Sequence, residues 1–436
     1  MPSPAPEPLA PRPLSIWLVN PFEDIPGEAT SPQRSWSLAR VLAARGHDVI
    51  WWSATWSHRR KAIRSSPLGI REDEGFAVRL VAVRPYEKTA SLARIGSHRD
   101  FGRTFERLAS ESVSSGQLER PDIIIASLPP LAGPEAAARL ARRLDATFVL
   151  DIMDVWPETL DRVLPGPGFV RRLLAPFLLG GMLRRRQAVV DAADAVAAAT
   201  HTYADAVMGA THASLPRHVC YVGAYPQEFP PPRRIMNHVP LPGGPVGGQD
   251  GPPPLECVHA GTLETGQEID VLAAAARHLS AAGVSAVIHV AGTGAAEASL
   301  RRVAAGFGGS CRMEVHGGLS RPAYVSLLSR CDAGLVCVKP DTLVAVPCEV
   351  CDYAAAGLAI VNSLPGELQG LVDEHAAGVR YTSGDAASLA QAITTLANDR
   401  TMLAAYRQGA RRLAAAEFDR ERTYPTFADW LETVSG

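Results

Sequence analysis

"SWSLARVLAARGHDVIWWSA", from Ser35 to Ala54, changes its period in mid-course. The first part has helical spacing, and Gly46 stands where a helix takes its left-handed C′ residue. The second part, "DVIWWSA" (48–54), is an unbroken apolar run, and so is "SIWLVN" (15–20) upstream. Such runs fit strands covered on both faces of a parallel sheet. Strand, helix and strand together make a β-α-β unit.

Working outward, the same rhythm continues through "VRLVAV" (78–83), "DIIIAS" (122–127), "FVLDIMD" (148–154) and "AVAAAT" (195–200). Composition then changes: "PQEFPPPRRIMNHVPLPGGPVGGQDGPPP" (226–254) is dominated by proline and glycine and has no periodicity, as a linker does. The rhythm restarts with "ECVHAG" (256–261), "AVIHVAG" (286–292), "RMEVHGG" (312–318), "AGLVCVKP" (333–340) and "LAIVNS" (358–363). The expected architecture is α/β, with two doubly wound Rossmann-like domains at 14–225 and 255–417, joined by a linker at 226–254. Ligands in such sheets bind beyond the carboxyl ends of the strands, and a central cleft faced by both domains is the default site.

Bulk properties agree. At 436 residues the chain is too long for one ordinary core. It is 47% hydrophobic and 20% charged with a formal charge of −2, so no global field attracts nucleic acid. The N-terminus lacks the apolar core of a secretory signal. "LLAPFLLGGML" (173–183) is shorter than the roughly 20 residues a spanning helix needs. The seven cysteines all follow position 219, which suits reduced thiols and a cytoplasmic location. Cys348 and Cys351 form a C-x-x-C with no second pair or histidine spacing, and no Asp-x-Asp is present, so no metal is expected.

"RGHDVIWWSA", "DVWPE", "HAGTL", "VAGTG", "VHGGLSR" and "CDYAAAGLAIVNSLPGEL" occur in this order over roughly 14 to 420. In that order they resemble the family 4 glycosyltransferases of the GT-B fold, most of all the bacterial branch that builds surface polysaccharides. The resemblance implies a hexosyltransferase-type enzyme that moves a sugar from a nucleotide-diphosphate donor, usually with retention, and needs no metal. It places the acceptor on the first domain and the donor on the second, and packs the last segment (418–436) back toward the first domain. It also implies a glycan, lipid-linked or small-molecule acceptor, with peripheral contact at the cytoplasmic membrane face. A nucleotide-sugar 2-epimerase of the same fold and a non-catalytic sugar-nucleotide-binding partner stand as alternatives.

The resemblance also assigns residues. Asp352 is expected to open a helix after the turn "AVPCE", where the dipole favours an acid, and to accept both hydroxyls of a ribose. Ala354 to Gly357 lack bulk, so this helix can lie close to its sheet. Val344 stands where the family has a first acid, and the turn reads Pro347-Cys348-Glu349 where Pro-x-Lys is usual. Thr262 and Gln267 replace a usual basic pair. The donor diphosphate is then left to the N–H groups of Gly261 and Thr262, to Arg321 and to Lys339. Gly292 and Gly294 suit close approach of a base or ribose, or simply a tight turn. In the first domain Gly27 and Glu28 fall in the loop that borders donor and acceptor. Asp154, Trp156 and Glu158 end a strand, as acceptor-side acids for proton transfer with an apolar platform, or as a helix cap beside a core tryptophan. His58 and Arg59 are a solvated basic loop or a phosphate contact to a lipid-diphosphate acceptor. Arg171, Arg172 and Arg184 to Arg186 bracket the apolar stretch at 173–183, a pattern for an anionic membrane surface or for a packed helix.

Overall fold

The computed structural model describes residues 12–28, 33–64, 74–87, 91–158, 168–230, 253–264 and 266–435, with side chains except at 92, 168–178 and 340. The chain divides into two compact units. The first runs to Ala199, includes Ala204–Val219, and takes up the chain again from Tyr424. The second holds Thr200–Tyr203 and Cys220–Thr423.

The elements up to Val219 are β1 (Ser15–Val19), α1 (Arg34–Ala44), β2 (Asp48–Ala54), β3 (Trp56–Ser57), β4 (Ala62–Ile63), β5 (Ala77–Val81), α2 (Leu92–Ser114), β6 (Ile123–Leu128), α3 (Ala132–Leu144), β7 (Thr147–Ile152), α4 (Gly168–Asp191), β8 (Ala195–Ala198), α5 (His201–Met208) and β9 (Arg217–Val219). Seven strands form one parallel sheet in the order β5-β2-β1-β6-β7-β8-β9, while β3 and β4 make a small antiparallel hairpin. The apolar runs explain the central strands: every residue of β1, β6 and β8 is buried. Gly46, at φ +87°, follows the end of α1 as the sequence requires. From Tyr424 the chain is fastened to this unit, with Arg45 on Asp429 (2.7 Å) and on Glu432 (2.8 Å).

The second unit contains β10 (Leu255–Ala260), α6 (Ile269–Ala281), β11 (Ala286–Ala291), α7 (Glu297–Ala304), β12 (Cys311–Gly317), α8 (Arg321–Leu328), β13 (Ala333–Val336), α9 (Cys348–Ala356), β14 (Ala359–Asn362), α10 (Glu367–Glu374), β15 (Gly378–Arg380), α11 (Ala386–Asn398) and α12 (Arg400–Leu413). Its six strands are all parallel, in the order β12-β11-β10-β13-β14-β15. The order reverses between β10 and β13, and at such a switch point the loops part and leave a crevice. Two buried clusters cover the sheet, one around Val258, Val336 and Tyr353, the other around Cys257, Leu335 and Leu272.

The eleven apolar runs read from the sequence all carry a strand of these two sheets. The linker reading needs two qualifications. Residues 231–252 lie outside the described residues, and Pro226–Glu228 form a 3₁₀ turn. All seven cysteines are free thiols, six of them buried. No helix among the described residues is long and apolar enough to cross a membrane.

Candidate functional site

The stretch 348–357 forms α9 because small residues let it sit on the sheet. Ala354 to Ala356 are buried, and Gly357 closes the helix in the left-handed conformation. The Tyr353 ring lies over Gly334 of β13 so closely that a Cβ there would stand 2.3 Å from it. The Tyr353 hydroxyl accepts the N–H of Ala260, at the end of β10, at 2.7 Å. The start of α9 is thereby pinned at the carboxyl edge of the sheet.

Asp352 is not the opening residue of this helix. The helix begins at Cys348, after Pro347, so Asp352 lies a turn further in and Glu349 is the first-turn acid. The dipole argument belongs to Glu349. Asp352 is instead held by Arg321, the first residue of α8, through Nη1 to Oδ2 (2.8 Å) and Nη2 to Oδ1 (3.1 Å). The same guanidinium donates to Glu228 at 2.6 and 2.9 Å and lies over the rings of Phe229 and Tyr324. Arg321 therefore serves two carboxylates and has little charge left for a phosphate. Burial lifts the Asp352 carboxyl above its ordinary value, and Arg321 offsets part of that rise. A carboxylate offers about four lone-pair positions, so a two-point arginine contact leaves room for further donors.

The glycine loops interlock. A Cβ on Gly292 would stand 1.7 Å from the Gly261 carbonyl oxygen, and one on Gly294 would stand 2.5 Å from the Leu263 carbonyl oxygen. All three glycines have positive φ, from +134° to +157°. Only glycine fits this close approach of the β10 and β11 ends. The N–H of Gly261, expected to face a phosphate, instead donates to Ala291 at 3.0 Å. Thr262 is exposed beside it. Glu349 reaches the same edge, its Oε1 3.5 Å from where a Gly261 Cβ would stand. Burial raises its carboxyl to about 7, with its own N–H pulling the other way. Near neutral pH a good fraction of Glu349 is uncharged and can donate a hydrogen bond. Exposed Cys348 precedes it.

Lys339 is placed elsewhere. It lines a cavity of about 610 Å³ with Leu263, Glu264, Glu268, Asp270 and Asp341. The carboxylates there give the wrong sign for a diphosphate. Asp352 is not among the residues that line this cavity.

The first-unit candidates are mostly engaged within the fold. Glu28 is half-buried, its side chain 7% exposed, and is paired with buried Arg64 at 3.0 and 3.1 Å. Arg59 points to Asp24 at 3.4 Å. His58 bonds the Tyr86 hydroxyl at 2.6 Å, and burial drops its imidazole to about 4, so it brings no charge to a phosphate at neutral pH. Trp156 is only 8% exposed and cannot serve as an open platform. Glu158 is taken by Arg186 at 2.6 and 2.7 Å. Asp154 is half-buried and accepts the N–H of Val155. Gly27, at φ +83°, is an exposed turn residue. Asp151, inside the strand, forms a buried pair with Arg34 at 2.8 Å. On the proposed membrane helix, Arg185 is paired with Glu135 and buried Arg186 with Glu158, while Arg184 is exposed; the side chains of Arg171 and Arg172 lie outside the described residues. Two of that helix's three C-terminal basic residues are thus spent on internal acids.

Sequence reasoning missed Glu228 and the ability of Glu349 to carry a proton. Glu228 sits in what reads as linker, and nothing in its spacing connects it to Arg321. The shift at Glu349 arises from burial, which a local reading does not supply.

Residues 254–399 match the family model described as "Glycosyl transferases group 1". No curated protein matches the chain in sequence. Among solved structures, sucrose-phosphate synthase from Thermosynechococcus elongatus is similar at a TM-score of 0.67 with 14% identity, covering 97% of this chain and 99% of its own. Anabaena HepE, solved with UDP-glucose, gives 0.63 with 14% identity over 96% and 100%. WaaG, a glycosyltransferase involved in lipopolysaccharide biosynthesis, gives 0.59 with 13% identity over 95% and 98%. At these identities the likeness establishes the GT-B fold. The group 1 glycosyltransferase match lies across the second unit of that fold, so the segment 254–399 carries the family's signature within a GT-B frame.

Proposed function

We propose that the chain moves a hexose from a uridine-diphosphate-type donor to a glycan or lipid-linked acceptor, with retention, in bacterial polysaccharide or glycoconjugate assembly. The observation that carries this reading is Asp352, oriented by a two-point contact to Arg321 inside the matched segment. Its remaining lone pairs are offered to the two ribose hydroxyls. The loops at Gly261, Gly292 and Gly294 let the base and ribose approach the backbone closely. HepE, a structural neighbour, was solved with UDP-glucose, which favours a uridine donor.

In the transfer, the bond between the anomeric carbon and the phosphate oxygen breaks, and its electron pair leaves with the nucleoside diphosphate. The acceptor oxygen bonds the anomeric carbon on the same face, and its proton passes to the departing phosphate. The charge that develops there is met by the uncapped N-terminus of α9 and by a hydrogen bond from protonated Glu349. In this reading the transferring centre needs no metal.

Asp352→Asn tests the assignment. Loss of a charged acceptor should weaken UDP binding by about 1.5–3 kcal/mol in calorimetry, with the melting transition retained. Unchanged UDP affinity would remove Asp352 from the donor site. Turnover of UDP-glucose only when an acceptor is supplied tests the reaction itself.

A further inference from the structure

Outside the donor site, the second sheet carries a histidine pair with an adjacent acid. His289 lies on β11, and its direct register partner on the edge strand β12 is Glu314. The register then slips: Val290 opposes Val315 but Ala291 opposes Gly317, so His316 is the one extra residue of a bulge. Bulges re-aim a side chain, and this one sets His316 Nε2 3.0 Å from His289 Nδ1. Glu314 Oε2 lies 3.4 Å from the same Nδ1. The candidate ligand atoms of His289, Glu314 and His316 all fall within 4.8 Å of one another.

These spacings are those of a metal polyhedron. With bonds of about 2.0–2.2 Å to nitrogen and oxygen, neighbouring ligands of a tetrahedral zinc ion stand about 3.3–3.6 Å apart. The observed 3.0 and 3.4 Å need only small side-chain adjustments. The orientation is also provided for. Glu256, on β10, lies 2.7 Å from His289 Nε2. A carboxylate there accepts the Nε2 proton, which leaves Nδ1 of the neutral ring as a lone pair facing His316 and Glu314. A carboxylate behind a ligating histidine is the usual outer-shell support of a metal site.

We propose that His289, Glu314 and His316 bind one borderline divalent cation such as Zn²⁺, with Glu256 as the orienting carboxylate and water completing the coordination. Imidazole and carboxylate donors in this number suit zinc, cobalt or nickel rather than magnesium or calcium. The site ties the bulged edge strand to its neighbour. It is independent of the sugar-transfer reading, and failure of either leaves the other standing.

The test uses the full chain, stripped with chelator, desalted and titrated with ZnCl₂ by calorimetry, then with CoCl₂ by visible spectroscopy. One saturable Zn²⁺ per chain and a tetrahedral Co²⁺ spectrum are expected. Half-buried His316→Ala should weaken binding at least a hundredfold, and Glu256→Gln by roughly ten- to a hundredfold. Exposed Glu314→Gln, the variant least able to disturb folding, should also weaken it tenfold or more. Cys348→Ser, which removes the exposed thiol, should leave stoichiometry and affinity unchanged. Absence of saturable Zn²⁺ binding overturns the proposal. So does binding in Glu314→Gln and His316→Ala equal to the parent, or binding lost in Cys348→Ser.

Discussion

Glu349→Gln isolates the group on which the electrostatics of the proposed donor site turn. The wild-type carboxyl titrates at about 7 because burial disfavours its charged form. If the protonated form donates to the donor phosphate while the ionised form repels it, binding draws only on the protonated fraction. The apparent dissociation constant then scales as the inverse of that fraction. With a value of about 7, the penalty is about 1.1-fold at pH 6 and about elevenfold at pH 8. The change from pH 6 to pH 8 is thus about tenfold, or about 1.4 kcal/mol. UDP-glucose is the ligand to titrate, since its diphosphate has no ionisation left in this range, whereas a terminal phosphate titrates near 6. Calorimetry at pH 6, 7 and 8 should show wild-type affinity falling with pH. Glu349→Gln, permanently a neutral donor, should show a flat profile close to the wild-type value at pH 6. Parallel profiles in the two proteins would refute the role given to Glu349. A Gln variant that binds weakly at every pH would refute it as well.

Glu23 is a second carboxyl lifted to about 7 by burial, with Ser35 N–H on its Oε2 at 2.8 Å. Its folded value lies above the unfolded one, so its stability contribution is present below about 4.5 and is lost as pH rises through 7. Glu23→Gln should therefore raise the denaturation midpoint relative to wild type at pH 8 more than at pH 4, read by urea titration at both. Asp151→Asn should destabilise the first unit by about 3–5 kcal/mol in the same assay, because it removes the charge that lies 2.8 Å from the Arg34 guanidinium, which is 2% exposed. Gly292→Ala should lower the melting temperature and abolish UDP binding, since the new methyl would meet the Gly261 carbonyl at 1.7 Å and one of the two loops must give way.

The frame of the protein was legible because parallel strands covered on both faces must be apolar throughout. "SIWLV", "IIIASL" and "AVIHVA" are such runs, and their spacing by helical stretches leaves little alternative to two doubly wound sheets. Short edge strands carry less of that signal. β9 and β15 are three residues each and only partly buried, so their formation depends on the neighbouring strand rather than on their own residues. The β3–β4 hairpin is shorter still, with two residues per strand.

The site was legible where a residue acts through its backbone and obscure where it acts through a partner. Gly292 and Gly294 announce close approach by themselves, and the structure places them against Gly261 and Leu263. A charged residue announces only that it needs a partner. Arg321 and Lys339 read alike in sequence, yet one is held between Asp352 and Glu228 while the other faces a cavity edged by acids. Glu28 and Glu158 read as ligand-facing acids, yet each has a near partner in Arg64 or Arg186, and Asp151 inside its strand is likewise held by Arg34. These pairings span 117 positions for Arg34 and Asp151, and 93 for Glu228 and Arg321, distances over which no local pattern operates. An acid whose lone pairs are spent on internal partners is set aside, whereas Asp352 keeps positions beyond its two-point contact with Arg321. On that basis Glu349, with no arginine across from it among the described residues and a proton retained near neutral pH, outranks the more conspicuous carboxylates of the first unit as a candidate to meet the proposed donor.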